Sequence, residues 1–217
     1  MKAFVITIMD MPASRASAQR CIESVKDFPV EMWEATTPKD DPHGMLKQRD
    51  INTRFFDEQG NSFKDNCMSA FTSHLRIWEW CAIHEEEVII FEHDAVAVAP
   101  IPKFMNYQGC VTLGQPSYGK FQTPMTLGVG PLMHKPYFGG AHAYRLKPEA
   151  AKVLLEVAKH TAQPTDVFLS LDKFPWLQEY YPWPVVAQDE FTTIQRKGGC
   201  LAKHNWNEAK YGIYKVR

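Results

Sequence analysis

No stretch of the chain approaches the roughly 20 consecutive apolar residues that cross a bilayer. The opening run, MKAFVITIMDMPASR, is apolar only as far as Asp10. That is too short for the core of an export signal, and it reads as a first β-strand. A cytoplasmic location is the expectation, with peripheral membrane association left open. Cysteine is scarce: Cys21, Cys67, Cys81, Cys110 and Cys200 are odd in number, and none falls in a Cys-x-x-Cys pair. Zinc-finger spacing is thereby excluded. A disulfide framework is disfavoured, and reduced, mostly buried thiols remain. No cysteine has a recognisable nucleophile setting, so a Cys-based hydrolase ranks last among the enzyme readings. An excess of one charge is also missing: 24 Lys plus Arg face 25 Asp plus Glu, for a net charge of −1. Without a global positive field nucleic acid is a poor partner, although a local basic site is compatible with the same total. Internal repeats and low-complexity tracts are absent.

What is present is an ordinary globular composition, 45% hydrophobic and 23% charged over 217 residues. Such a chain buries a core without metal or disulfide staples. The expectation is a single domain over residues 1–217, with a less regular C-terminal segment at 195–217. Residues 2–8 carry Phe4, Val5, Ile6 and Ile8 and read as a strand. Met11-Pro12-Ala13-Ser14 turns into a helix reaching about residue 25, and residues 30–35 form a second strand. Strand, helix, strand is the opening of an α/β fold. Residues 36–62 are polar and broken by Pro38, Pro42, Gly44 and Gly60. A loop of that length serves a site or carries short helices.

Ala70, Phe71, His74, Leu75, Trp78, Cys81 and Ala82 recur at spacings of three and four, which predicts a helix with one apolar face and Asn66 as its N-cap. Residues 88–91 are uniformly apolar and predict a central strand buried on both faces. Residues 95–98 continue extended, and 109–113 form another strand. The Gly- and Pro-rich stretch 114–140 reads as a long loop or a small hairpin layer. A short strand at 141–146 leads to a helix with Pro148 in its first turn. Thr165 caps a further short helix, and 182–187 is a late strand.

Chemistry concentrates at Glu92-His93-Asp94, directly after the buried strand. In open α/β sheets the C-terminal strand edge is where ligands bind. If the strand ends there, both carboxylates can turn toward one cation. Hard oxygen ligands suit Mg²⁺ or Mn²⁺, which in turn bridge phosphate oxygens. The plainer alternative is a solvated turn.

Several blocks together resemble glycosyltransferase family 25, the lipooligosaccharide sugar transferases that include the collagen galactosyltransferase domains. They are VITIMDMPASR, the Ser-His helix SAFTSHLRIWEWC, the strand end FEHDA, the Gly-rich approach GGAHAYRLKPEAAKVLL, and the Pro-x-Asp segment QPTDVFLS. Their order spans about residues 3 to 190. The resemblance implies a GT-A-like nucleotide-sugar-binding fold, with a central, mostly parallel sheet flanked by helices. It implies a UDP-sugar donor carrying galactose or glucose. It also implies a saccharide acceptor, such as a precursor in lipopolysaccharide biosynthesis, and Mn²⁺ or Mg²⁺.

By the same resemblance Asp94 is the leading metal ligand, with Glu92 helping it or holding the donor's ribose. His142 and His204 are candidates for a further ligand. Arg15 would reach the diphosphate, and Ser73, His74, Gly140 and Tyr144 would line the donor site. The general base of an inverting transfer is sought among Asp166, Asp189 and Glu190. Asp166 is expected at a helix start, where the dipole stabilises its anion. His74 has a second reading as a buried, hydrogen-bonded core histidine. Trp176, Tyr180, Tyr181 and Trp183 read either as an acceptor platform or as packing. Two departures from the family pattern stand out: His93 replaces the middle acid of the usual triplet, and the chain is short. They keep two further readings open: a non-catalytic nucleotide- or sugar-binding module, and a transferase acting on protein or nucleic acid.

Overall fold

The computed structural model describes residues 1–58 and 64–188. In chain order the elements are β1 (Lys2–Thr7), α1 (Pro12–Ser24), β2 (Glu31–Glu34), α2 (Pro42–Lys47), α3 (Arg54–Glu58), α4 (Lys64–His84), β3 (Val88–Glu92) and β4 (Ala95–Ala97). Then come β5 (Cys110–Thr112), β6 (Gly128–Pro131), β7 (Ala143–Leu146), α5 (Pro148–Thr161), α6 (Thr165–Phe168), β8 (Gln178–Tyr181) and β9 (Val185–Ala187).

Side-chain alternation along the strands decides the layering. Phe4 and Ile6 of β1, Val88 and Ile90 of β3, and Tyr144 and Leu146 of β7 belong to one core. Ala3, Val5, Ile89, Phe91 and Ala143 belong to the other. The first face is covered by α4 and α5, which pack on each other. Phe71, Leu75 and Trp78 of α4 and Ala151 and Leu154 of α5 are fully buried there. The second face is covered by α1 through Ala18 and Cys21. Both faces of β3 are therefore dry, as its unbroken apolar run requires.

The main sheet has the order β2-β1-β3-β7-β5-β8-β6. The pairs β1–β2, β1–β3 and β5–β8 are parallel, whereas β3–β7, β5–β7 and β6–β8 are antiparallel. The fold is thus α/β with a mixed sheet flanked by helices, in which β7 and β6 run against the other five strands. Parallel neighbours need a crossover, usually helical. The chain from β5 to β7 contains no helix to supply one.

Two local expectations change. Asn66 lies inside α4, which begins by Lys64, so it is no N-cap. Residues 95–97 are extended as expected, and they pair antiparallel with β9 in a separate two-stranded sheet. The stretch 114–140 contributes β6, which pairs with β8 at the sheet's far edge. β8 itself, Gln-Glu-Tyr-Tyr, carries a buried charge at Glu179. That carboxylate accepts hydrogen bonds from the Met133 amide (2.6 Å), the His134 amide (3.1 Å) and His134 Nδ1 (2.7 Å), which repay its desolvation. Among the described residues no helix is long and apolar enough to cross a membrane.

Candidate functional site

The C-terminal ends of β1, β2 and β3 open on one side of the sheet. β7 runs against β3, so residues 140–142 enter it at the same edge. Register brings Ile6 opposite Glu92. β3 stops there: the Glu92 amide donates to the His142 carbonyl at 2.9 Å, and residues 93 and 94 turn the chain away. These ends, one face of α4 and the start of α6 line a single cavity of 760 Å³. Its position at the strand order's switch, with β2 and β3 on opposite sides of β1, is where open sheets leave a crevice.

Of the residues singled out from sequence, Ser73, His74, Glu92, Asp94, Gly140, His142 and Asp166 all line this cavity. Arg15 does not. It is exposed on α1, and its guanidinium donates to the Met9 carbonyl. Tyr144 does not reach the cavity either, being fully buried behind His74. Asp189, Glu190 and His204 lie outside the described residues. None of the four aromatic residues proposed as a platform lines the cavity. Trp176 is tilted against Phe174, Tyr180 leans on the second core, and Trp183 sits against Tyr181, Phe121 and His134.

Ser73 serves the fold at the cavity wall. Its hydroxyl accepts the Thr36 amide at 2.8 Å and donates to the Ser69 carbonyl at 2.8 Å, tying the chain after β2 to α4. His74 is part of a directed chain. Its Nδ1 lies 2.8 Å from the Tyr144 hydroxyl, which lies 2.8 Å from Trp78 Nε1. Its Nε2 lies 3.2 Å from Glu92 Oε1. An indole only donates and a carboxylate only accepts. The polarity is therefore set: Trp78 donates to Tyr144, Tyr144 donates to His74 Nδ1, and His74 Nε2–H donates to Glu92. Burial lowers the His74 pKa to about 3, so the ring stays neutral, as this tautomer requires. The reading of His74 as a buried, hydrogen-bonded core histidine holds, and the same ring reaches a cavity carboxylate.

His93 is tied to the start of α1, with Nδ1 3.1 Å from the Ser14 hydroxyl, itself an acceptor for the Ile8 amide at 2.9 Å. His142 is wedged between glycines. A Cβ on Gly114 would lie 2.4 Å from His142 Nε2, and one on Gly140 would lie 2.9 Å from Nδ1 and 2.5 Å from Ser117 Oγ. Gly140 also has a φ of 117°, in the region that favours glycine.

Asp166 differs from its sequence expectation. α6 is a four-residue helix, and its dipole is not what governs this carboxyl. Burial raises its pKa, opposed by a hydrogen bond from the Tyr118 hydroxyl to Oδ2, one from the Val167 amide to Oδ1 (2.9 Å), and the Lys135 charge. A raised carboxylate is a better base than a helix-stabilised one. Tyr118 and Lys135 were not legible as site residues, because each is a lone polar side chain in a Gly- and Pro-rich stretch.

The cavity lining is acidic. Asp10, Glu92, Asp94 and Asp166 face it, and Lys39 is its sole Lys or Arg among the described residues. Lys39 is already paired with Asp10 at 2.6 Å. Among the described residues no group of three or more His, Cys, Asp or Glu is arranged to hold a metal ion. Glu92, Asp94 and His142 line the cavity without forming such a group. Burial pushes the Cys21 and Cys81 thiols, neither of which lines the cavity, up to about 12.

No family model matches the chain, and no curated protein matches it.

Proposed function

We propose that the protein is a nucleotide-sugar-dependent glycosyltransferase of GT-A-like design, similar to family 25. Its proposed donor is UDP-galactose or UDP-glucose, and its acceptor is a saccharide hydroxyl. The observation that carries this reading is convergence. Ser73-His74, Glu92-x-Asp94, Gly140-x-His142 and Asp166 come from four separate sequence blocks and meet on one cavity at the strand edge.

The chemistry follows from the groups on that wall. Asp166 takes the proton of the acceptor hydroxyl. The acceptor oxygen forms a bond to the anomeric carbon, and the bond from that carbon to the diphosphate oxygen breaks. The electron pair leaves with the nucleoside diphosphate. Asp94 and Glu92 would be the residues to hold a divalent cation, which would supply countercharge for that leaving group. His74 fixes the direction of the Glu92 carboxylate through its Nε2–H. The apolar side chains of Ile6, Ile8, Met11 and Pro12 form a floor at the end of β1, and Thr36 and Thr37 offer polar groups after β2. Such a wall suits a nucleoside, with a flat base and a hydroxylated ribose.

A non-catalytic binder using the same cavity is the second reading. It is favoured by His93, which offers an imidazole tied to Ser14 where a third carboxylate would stand.

Calorimetric titration with UDP, with Mn²⁺ and then with a chelator, tests the donor site. Binding is expected with Mn²⁺ and is expected to weaken by more than about tenfold, or roughly 1.4 kcal/mol, in Asp94→Ala. Turnover separates enzyme from binder. Donor hydrolysis or transfer should fall by about a hundredfold or more in Asp166→Asn. Failure of UDP and other nucleoside diphosphates to bind under either condition sinks the donor assignment. Binding without turnover of any nucleotide sugar selects the second reading.

A further inference from the structure

A buried lysine stands behind the carboxylate wall. Lys135, from the segment between β6 and β7, is only 8% exposed. Its ammonium donates to the Tyr118 carbonyl and lies 4.4 Å from the centre of the Tyr118 ring and 5.4 Å from that of Tyr137. The two rings are stacked, with centroids 6.5 Å apart. A Cβ on Gly119 would come within 3.0 Å of Nζ, so glycine there leaves room for the ammonium. From the other end of the same residue, the Tyr118 hydroxyl donates to Asp166 Oδ2. One tyrosine thus links a buried cation to a cavity carboxylate.

We infer that Lys135 and Tyr118 are positioning residues for Asp166. The ammonium, anchored on the Tyr118 carbonyl and on two aromatic faces, holds the Tyr118 hydroxyl against Oδ2 and keeps the carboxylate ionised at the cavity wall. The inference rests on the reading of Asp166 as the base.

The need for such a device is physical. Burial alone favours the neutral acid, and a neutral Asp166 cannot take a proton. The groups facing Asp166 are Tyr118 from the chain after β5, Lys135, His74 from α4, and the Val167 amide of its own helix. Glu92 and Asp94, at the end of β3, face the same cavity and disfavour a further anion. His74 is neutral, so Lys135 is the cation set against these carboxylates on this side. Burial lowers the Lys135 pKa to about 8, and Asp166 opposes that shift, as a coupled pair does. Each charge sustains the other, and the hydrogen bonds from Tyr118 and Val167 leave a lone pair on each carboxylate oxygen for the acceptor hydroxyl. Cation–π contact compensates part of the ammonium's lost hydration.

The test follows the carboxyl carbon of Asp166 by NMR in protein labelled at aspartate, with Asp166→Asn for assignment, across the acid and neutral range. Lys135→Met is expected to raise the Asp166 midpoint, because the opposing cation is gone. Lys135→Arg, which keeps a cation, should restore most of the difference. Tyr118→Phe should raise the midpoint by the larger amount, because it removes the hydrogen bond to Oδ2 itself. A midpoint unmoved in Lys135→Met overturns the inference. If that variant does not fold, a midpoint unmoved in Tyr118→Phe overturns it instead.

Turnover is then measured in the same proteins. The acid limb of the rate profile should move upward with the NMR midpoint. A displaced midpoint in proteins that turn over no nucleotide sugar supports the Lys135–Tyr118 assignment and removes the transferase reading.

Discussion

A neutral histidine inside a core is a pH sensor whose sign can be worked out. Below pH 6.5 the unfolded chain binds a proton at His74, whereas the folded protein does so only near its pKa of about 3. Between those values the unfolded state carries more protons, so stability falls as pH falls. The slope from this one residue is up to about 1.4 kcal/mol per pH unit, and it vanishes above the ordinary histidine value. Asp166 acts in the opposite direction, since its raised pKa favours the folded state as acid is added. The clean measurement is therefore a difference. Urea midpoints of wild type and His74→Gln, compared at neutral pH and again midway through the window, should converge as pH is lowered. Parallel pH dependences in the two proteins would mean that His74 is not held neutral by burial. The same substitution removes the His74 donor from Glu92, so UDP affinity with Mn²⁺ should fall as well.

Elements matter here through their ends. The edge where β3 stops is held by the bond from the Glu92 amide to the His142 carbonyl, and the His142 ring is wedged between Gly114 and Gly140. Gly114→Ala places a methyl 2.4 Å from the imidazole, a distance at which the ring or the strand end must shift. Destabilisation of about 1–3 kcal/mol is expected from such overpacking. A weaker UDP–Mn²⁺ complex should accompany it, because the His142 carbonyl receives the Glu92 amide. Thermal melting and calorimetry check the two effects, and unchanged values in both would remove the wedge as a determinant of the site.

The same ends explain what could be read in advance. β1, β3, α4 and α5 were legible because their apolar periods are complete within each segment. β8 was not, since Glu179 is tolerable inside a sheet only once the Met133 and His134 amides arrive from a distant loop. The direction of β7 was equally hidden, because a short apolar run looks alike in a parallel or an antiparallel pair. Glu92 and Asp94 could be found from their place after a buried strand. Lys135 could not, because its burial exists only in the folded chain.

At the scale of the molecule, a net charge of −1 conceals an uneven distribution. Asp10, Glu92, Asp94 and Asp166 share one cavity with Lys39, and that lysine is neutralised by Asp10. A nucleoside diphosphate entering this space brings further negative charge. Without a cation the long-range interaction is repulsive, and added salt should screen the repulsion and strengthen whatever binding remains. Mn²⁺ held at Asp94 and Glu92 would cancel their two charges and remove most of that repulsion. The upward salt dependence under chelator is thus expected to flatten with Mn²⁺. In Asp94→Ala the upward slope should persist even with Mn²⁺ present. UDP titrations at low and high sodium chloride, with and without the cation, measure this directly. A downward slope under chelator would show that the ligand meets positive charge instead. The acidic cavity would then not be where the diphosphate sits, and exposed Arg15, outside its wall, would become the first residue to change.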